Sequence, residues 1–192
     1  SAFAVFFFFN IALGQEPLTF RHITSNNGLS QNHGYCIMKD YRGFMWFGTM
    51  NGLNKYDGYD ITIYKSNPSD VSSISGNEIR TIIEDKSQTL WIGTNGGLNL
   101  YNRDNNNFIR LKHDPKKPGT ISSDHINVAY EDSKGNVWIG TGDGLNLFHR
   151  EDSTFTHFFS TGNINFIGPS FIQSIFEDSE GILWIGTARG LI

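Results

Sequence analysis

The chain has 192 residues, 38% hydrophobic, 14% aromatic and 18% charged, a composition that folds and that excludes a disordered chain. A net charge of −4 offers no basic footprint for nucleic acid or anionic lipid, and the lone Cys36 excludes a disulfide framework and a cysteine-rich metal site. Twenty-one glycines against five prolines, with no helix-period run of useful length, point to short strands joined by many turns rather than to an α or α/β enzyme.

Ala2 to Gly14, AFAVFFFFNIALG, is an apolar run of signal-peptide length, too short to span a bilayer. Ala12-Leu13-Gly14 supplies small residues for a peptidase, so residues 1–14 are expected to be a signal-peptide remnant cleaved before Gln15. A buried strand or an uncleaved anchor is the alternative. Cleavage would place the mature chain, 15–192, outside the cytoplasm. Leu18-Thr19-Phe20-Arg21-His22-Ile23 then reads as a leading outer strand over 18–23.

From Gly28 onward the chain repeats one unit four times. Trp46, Trp91, Trp138 and Trp184 are spaced by 45, 47 and 46 residues, and Asp40, Asp85, Asp132 and Asp178 keep the same register. So do Gly48, Gly93, Gly140 and Gly186. The units are expected at about 28–64, 74–112, 121–160 and 170–192. In each, an apolar strand a such as 79–83 leads into a type I turn opened by Asp, as in Asp132-Ser133-Lys134-Gly135, with Gly where positive φ is needed. Gln88 stands at that glycine position in unit two and is expected to be slightly strained. Strand b, such as Val137-Trp138-Ile139-Gly140-Thr141, is apolar on both faces, and its glycine leaves room for a neighbouring sheet. A tight turn ending in Gly144 precedes strand c, and an aromatic-rich strand d (Phe108–Leu111 or Phe155–Phe159) closes the unit.

Four short antiparallel strands buried on both faces, at a period near 46 residues, describe a blade of an all-β propeller. About four four-stranded blades are expected, their tryptophans wedged between neighbours. They form a fragment of a larger propeller, a four-bladed ring, or half of a ring closed by a second copy. A parallel β-helix would need shorter repeats.

The run GLSQNHGYCIMKDYRGFMWFGTMNGLNKYDGY (Gly28–Tyr59), followed by repeated EDxxGxLWIGTxxGLN, resembles the two-component regulator propeller repeat. The likeness covers nearly everything after Gln15. Gln88 for Gly, Lys39 for the acidic residue before Asp40, and the approach GNINFIGPS to unit four depart from the pattern. The resemblance implies the periplasmic sensor region of a hybrid two-component histidine kinase of the Bacteroidetes type, set in an inner-membrane protein. Its implied ligand is a glycan-derived oligosaccharide or another small molecule, and its implied partners are further blades and domains of the parent protein. The same propeller can feed a diguanylate cyclase, and propellers also occur as glycan-active enzymes or scaffolds. No kinase, receiver, cofactor-binding or other catalytic motif is present in these residues, so the segment itself is expected to act without a cofactor and not as an enzyme.

Positions identical in all copies are explained by blade architecture, so function is sought where the copies disagree. The d–a connections are long (66–76, 112–123 and 161–170) and emerge with the b–c turns on one face, whereas the a–b turns are minimal. Candidate ligand contacts opening strand a are Asn32 and His33, Asn77 and Glu78, Asp124 and His125, and Ser170 and Phe171. Asn51, Asn95, Asp143 and Arg189 in the b–c turns join them. Amides, carboxylates and aromatic faces of this kind bind sugars. His33 and His125 are equivalent, but two imidazoles fall short of a zinc site, and no metal is expected.

Overall fold

The computed structural model describes residues 19–158 and 171–192. The expected export signal, Leu18, Ser170 and the approach to unit four lie outside them. The blades follow one another along the chain. Blade one is β1 (Gly34–Lys39), β2 (Met45–Thr49), β3 (Gly52–Tyr56) and β4 (Ile61–Tyr64). Blade two is β5 (Ile79–Glu84), β6 (Leu90–Thr94), β7 (Gly97–Asn102) and β8 (Asn107–Leu111). Blade three is β9 (Ile126–Glu131), β10 (Val137–Thr141), β11 (Gly144–His149) and β12 (Thr154–Phe158). Blade four has three described strands, β13 (Ile172–Glu177), β14 (Leu183–Thr187) and the two-residue β15 (Gly190–Leu191). Each sheet is an antiparallel meander in chain order, and the first strands β1, β5, β9 and β13 pack on one another in succession. Those four strands therefore line the inner side of an arc of propeller blades.

Three apolar clusters occupy the seams between blades one and two, two and three, and three and four. Trp46 packs edge-on against Tyr101 of the next blade, and Trp91 against Phe148 of the blade after that. The expected burial of all four tryptophans needs one correction. Trp46 and Trp91 are fully buried and Trp138 is half-buried, but Trp184 is 47% exposed. The wedge is completed by strand c of the following blade, and no described sheet lies over blade four, whose Phe176 and Ile182 are exposed as well. Among the described residues the outer side of blade four is accordingly uncovered. The leading strand expected over 18–23 is also corrected. Residues 19–23 form no strand and pair with none of the described sheets. Instead Arg21 and Ile23 line a groove of about 280 Å³ on the open face of blade one, with Leu29, Cys36, Ile37 and Phe47.

The glycine of strand b is dictated by the next blade. A Cβ on Gly93 would lie 2.5 Å from Thr81 Cγ2 and 2.6 Å from Ile126 Cγ2, and one on Gly140 would lie 2.5 Å from Ile172 Cγ2. Such contacts are well inside van der Waals separation. The conserved Asp-to-Trp spacing also has a direct cause. In every blade the indole Nε1 donates to the second oxygen of the turn aspartate, at 3.0 Å for Trp46–Asp40 and 2.8 Å for Trp91–Asp85, Trp138–Asp132 and Trp184–Asp178. The other oxygen accepts backbone amides of the same turn. Gln88 takes the expected left-handed conformation, φ 65°, where the other units have Gly43, Gly135 and Gly181.

Between blades the turn end carries an ionic latch. Arg103 of blade two reaches back to Asp40 Oδ2 at 2.9 Å and also pairs with Glu84; Arg150 of blade three reaches Asp85 Oδ2 at 2.9 Å and Glu131 at 3.8 Å. Glu84, Glu131 and Glu177 each accept a backbone N–H from the preceding blade's turn, from Tyr41, Lys86 and Ser133. In blade one Lys39 and Gly58 stand at the equivalent Glu and Arg positions.

Candidate functional site

The loop end of the blades is braced before it can recognise anything. In strand c, the buried Asn54, Asn99 and Asn146 each accept the backbone N–H of a serine in the loop before strand a, at 2.8–3.0 Å, and donate back to that serine's hydroxyl. The serines, Ser30, Ser75 and Ser122, also share a hydrogen bond with Thr49, Thr94 and Thr141 of strand b. This triad fixes the loop against the sheet. It was not anticipated from the sequence, although an Asn repeated in three GLN segments was its signal.

Three of the expected contacts serve the same bracing. Asn32, Asn77 and Asp124 accept backbone N–H bonds from Ser25, Ser66 and His113 at 2.7–2.8 Å, each across its own loop. Asp124 also pairs with Lys112 Nζ at 3.3 Å. Their side-chain oxygens are thus engaged in closing loops.

The residues just after them are gathered with the b–c turns. The carbonyls of His33, Glu78, His125 and Phe171 accept the amides of Met50, Asn95, Gly142 and Ala188, at 2.8–3.2 Å, so the two sets of candidates are adjacent in every blade. Asn51, Asn95, Asp143 and Arg189 form an exposed rim beside them.

Across blades the side chains form two groups. At the seam of blades one and two, His33 packs on Tyr35 with centroids 4.8 Å apart, the Arg80 guanidinium lies 5.1 Å from the Tyr35 ring, and Glu78 pairs with Arg80 at 2.5 Å. Partial burial together with the Glu78 carboxylate raises the Tyr35 phenol above its ordinary value, so it stays protonated and can donate. At the seam of blades three and four, the His125 ring meets Phe171 at 5.6 Å and covers Gly142. His33 and His125 therefore belong to separate groups, and among the described residues no three His, Cys, Asp or Glu side chains converge as metal ligands. Cys36 follows Tyr35 in β1 but directs its thiol to the Ile79 carbonyl, at 3.8 Å. Burial pushes its thiol up to about 12, so it is a packing residue rather than a nucleophile.

Comparison with known proteins identifies the repeat. A family model described as two-component regulator propeller matches residues 73–96, 120–143 and 167–189, each window ending at a b–c turn. The chain is similar to Histidine kinase P4 of Formosa agariphila, 46% identical over 56 residues, which is 29% of this chain and 4% of that protein. It is also similar to the extracellular domain of a protein assigned as a hybrid two-component system in B. thetaiotaomicron. The two are 27% identical with a TM-score of 0.56 over 89% of this chain and 30% of that one. A streptogramin B lyase structure shares the fold at 16% identity, TM-score 0.57, over 85% of this chain and 55% of the lyase. The chain therefore spans only a small part of the regulators that it matches. Regulator propeller repeats are present here as an all-β arc, and no helix among the described residues is long and apolar enough to cross a membrane.

Proposed function

We propose that this chain is the extracytoplasmic, periplasmic ligand-sensing segment of a hybrid two-component sensor histidine kinase, and that it detects an oligosaccharide released from a glycan. The observation that carries the reading is the contrast within each blade: a scaffold repeated almost without change presents a loop end whose side chains differ from copy to copy. Likeness to an extracellular domain of a two-component system supports it. The propeller supplies recognition, while phosphotransfer belongs to further domains of the parent protein. The Glu78 carboxylate is held by Arg80 and that of Asp124 by Lys112, so these acids act as positioning groups.

A sensor shifts its output only by binding ligand differently in two states. Contact between the occupied loop end and the neighbouring domain is the simplest source of that difference. Calorimetric titration of the chain with oligosaccharides prepared from plant, algal and host glycans tests the reading. One class is expected to bind, and Glu78→Ala or His125→Ala is expected to weaken it at least tenfold. Absence of binding by every class would overturn it.

A further inference from the structure

The inner strands carry a second set of variable residues. In every blade the ladder between strands a and b skips one residue: pairing passes from Gly34 to Cys36, from Ile79 to Thr81, from Ile126 to Val128 and from Ile172 to Ser174. The skipped residues are Tyr35, Arg80, Asn127 and Gln173, four different polar side chains at four equivalent bulges. A bulge leaves its residue outside the ladder and re-aims the side chain. Here it does so on the strand that lines the inner side of the arc, one residue in from the loop end.

The same place collects polar atoms without partners. Among the described residues, five buried side-chain nitrogen or oxygen atoms make no hydrogen bond: Arg80 Nε, Asn127 Nδ2 and Oδ1, His125 Nε2 and Arg103 Nε. All but the last belong to bulge residues or to the residue two before one. Buried polar groups in folded proteins are nearly always satisfied, so a cluster of exceptions calls for an outside partner. The Asn127 amide offers one donor and one acceptor side by side, the complement of two neighbouring hydroxyls. The Phe171 ring beside His125 and the Tyr35 ring offer apolar faces for the C–H side of a pyranose. The one cation of the row is neutralised, since Arg80 is paired with Glu78. A ligand carrying carboxylate or sulfate would meet the Glu78 charge with no second cation among the described bulge residues to answer it, the rim Arg189 lying outside the row.

We infer that the bulge row, centred on Arg80 and Asn127 with His125 and Phe171, is the ligand-contacting surface and that its ligand is an uncharged saccharide. This rests on the glycan-sensing reading and narrows it to particular residues and one sugar class.

The test sets neutral probes (cello-, xylo-, manno-, malto- and laminari-oligosaccharides) against acidic ones (oligogalacturonate and heparin-derived oligosaccharides), titrated into the chain by calorimetry. A neutral probe is expected to bind. Asn127→Leu and Arg80→Met are each expected to lower its affinity at least tenfold, with Lys134→Ala on the turn end within twofold. Urea unfolding separates contact from support. Asn127→Leu removes two unsatisfied atoms at similar volume, so the free protein should be as stable as wild type or more so. A structural asparagine would instead lose stability on that change, and that result would overturn the inference. So would preference for the acidic probes, or neutral binding that Asn127→Leu leaves within twofold; either leaves glycan sensing intact. If neither set binds, the glycan-sensing reading itself fails.

Discussion

At the turn end of the blades, Asp40, Asp85, Asp132 and Asp178 repeat one hydrogen-bond pattern four times; at the inner, loop end, Tyr35, Arg80, Asn127 and Gln173 occupy one backbone position with four chemistries. The turn end satisfies its polar groups almost completely, with each carboxylate accepting an indole and backbone amides. The loop end leaves the Asn127 amide and the His125 Nε2 unsatisfied. Where every blade must fit its neighbour, one solution recurs; at the other end the copies diverge. On the sensing function proposed above, stability and recognition fall to opposite ends of the same short strands.

Acid should break the turn end most broadly, because it reaches several anchors at once. At Asp40, burial raises the carboxyl, but the Trp46 indole, Arg103 and the Phe44 amide outweigh it and hold it below the usual carboxylate range. Burial is likewise outweighed at Asp132 by Trp138 and Asn136. Folded-state values lowered in this way give stability that is present above the unfolded value of about 4 and is lost as pH falls through the folded value. Stability from urea unfolding should therefore be flat near neutrality and fall steeply below about pH 4. A profile that rises on acidification would contradict the anchor role.

One anchor removed singly comes next. Asp85→Ala deletes the acceptor for the buried Trp91 indole and the Thr89 amide and leaves Arg150 with Glu131 alone, so a loss of about 2–5 kcal/mol is expected by urea denaturation. Gly93→Ala forces a methyl against Thr81 and Ile126 and should cost about 1–3 kcal/mol, with the seam of blades two and three opening first in hydrogen exchange. Asn99→Ala should cost about 1–3 kcal/mol and speed amide exchange in the loop 66–76, which sharpens the comparison because it loosens the loop end alone. The smallest effect has the opposite sign. Gln88→Gly relieves a left-handed side-chain conformation and should raise stability by up to about 1 kcal/mol, read as a higher midpoint.

The blades were legible in the sequence because their signals are local and repeated: a tryptophan, a turn aspartate and two glycines in fixed register, with the glycine at Gly93 pointing correctly to close approach of another sheet. Loop-end candidates were legible only in part. His33, Glu78, His125 and Phe171 do gather beside the b–c turns, whereas Asn32, Asn77 and Asp124 spend their oxygens on their own loops. Short-range pairing of that kind is invisible in a residue's type, since an asparagine that closes a loop looks the same as one that binds a sugar. The bulges were missed because a one-residue slip of register leaves no trace in the alternation of a six-residue strand. A signal existed nonetheless: the second residue of an otherwise apolar strand is Tyr, Arg, Asn or Gln. Trp184 was misplaced for another reason, because its cover comes from a different sheet and no property of its own segment records whether that sheet is there.

The latch has a direction. Arg103 and Arg150, with Glu84, Glu131 and Glu177, all reach from a later blade to an earlier one, and the Lys39 and Gly58 of blade one reach to none. A polypeptide made amino end first therefore exposes each of these acceptors before the arginine that grips it, so the contacts of a seam become available in the order in which the chain is synthesised. Loss of Asp40 would release the grip of Arg103 on blade one, and loss of Asp85 that of Arg150 on blade two.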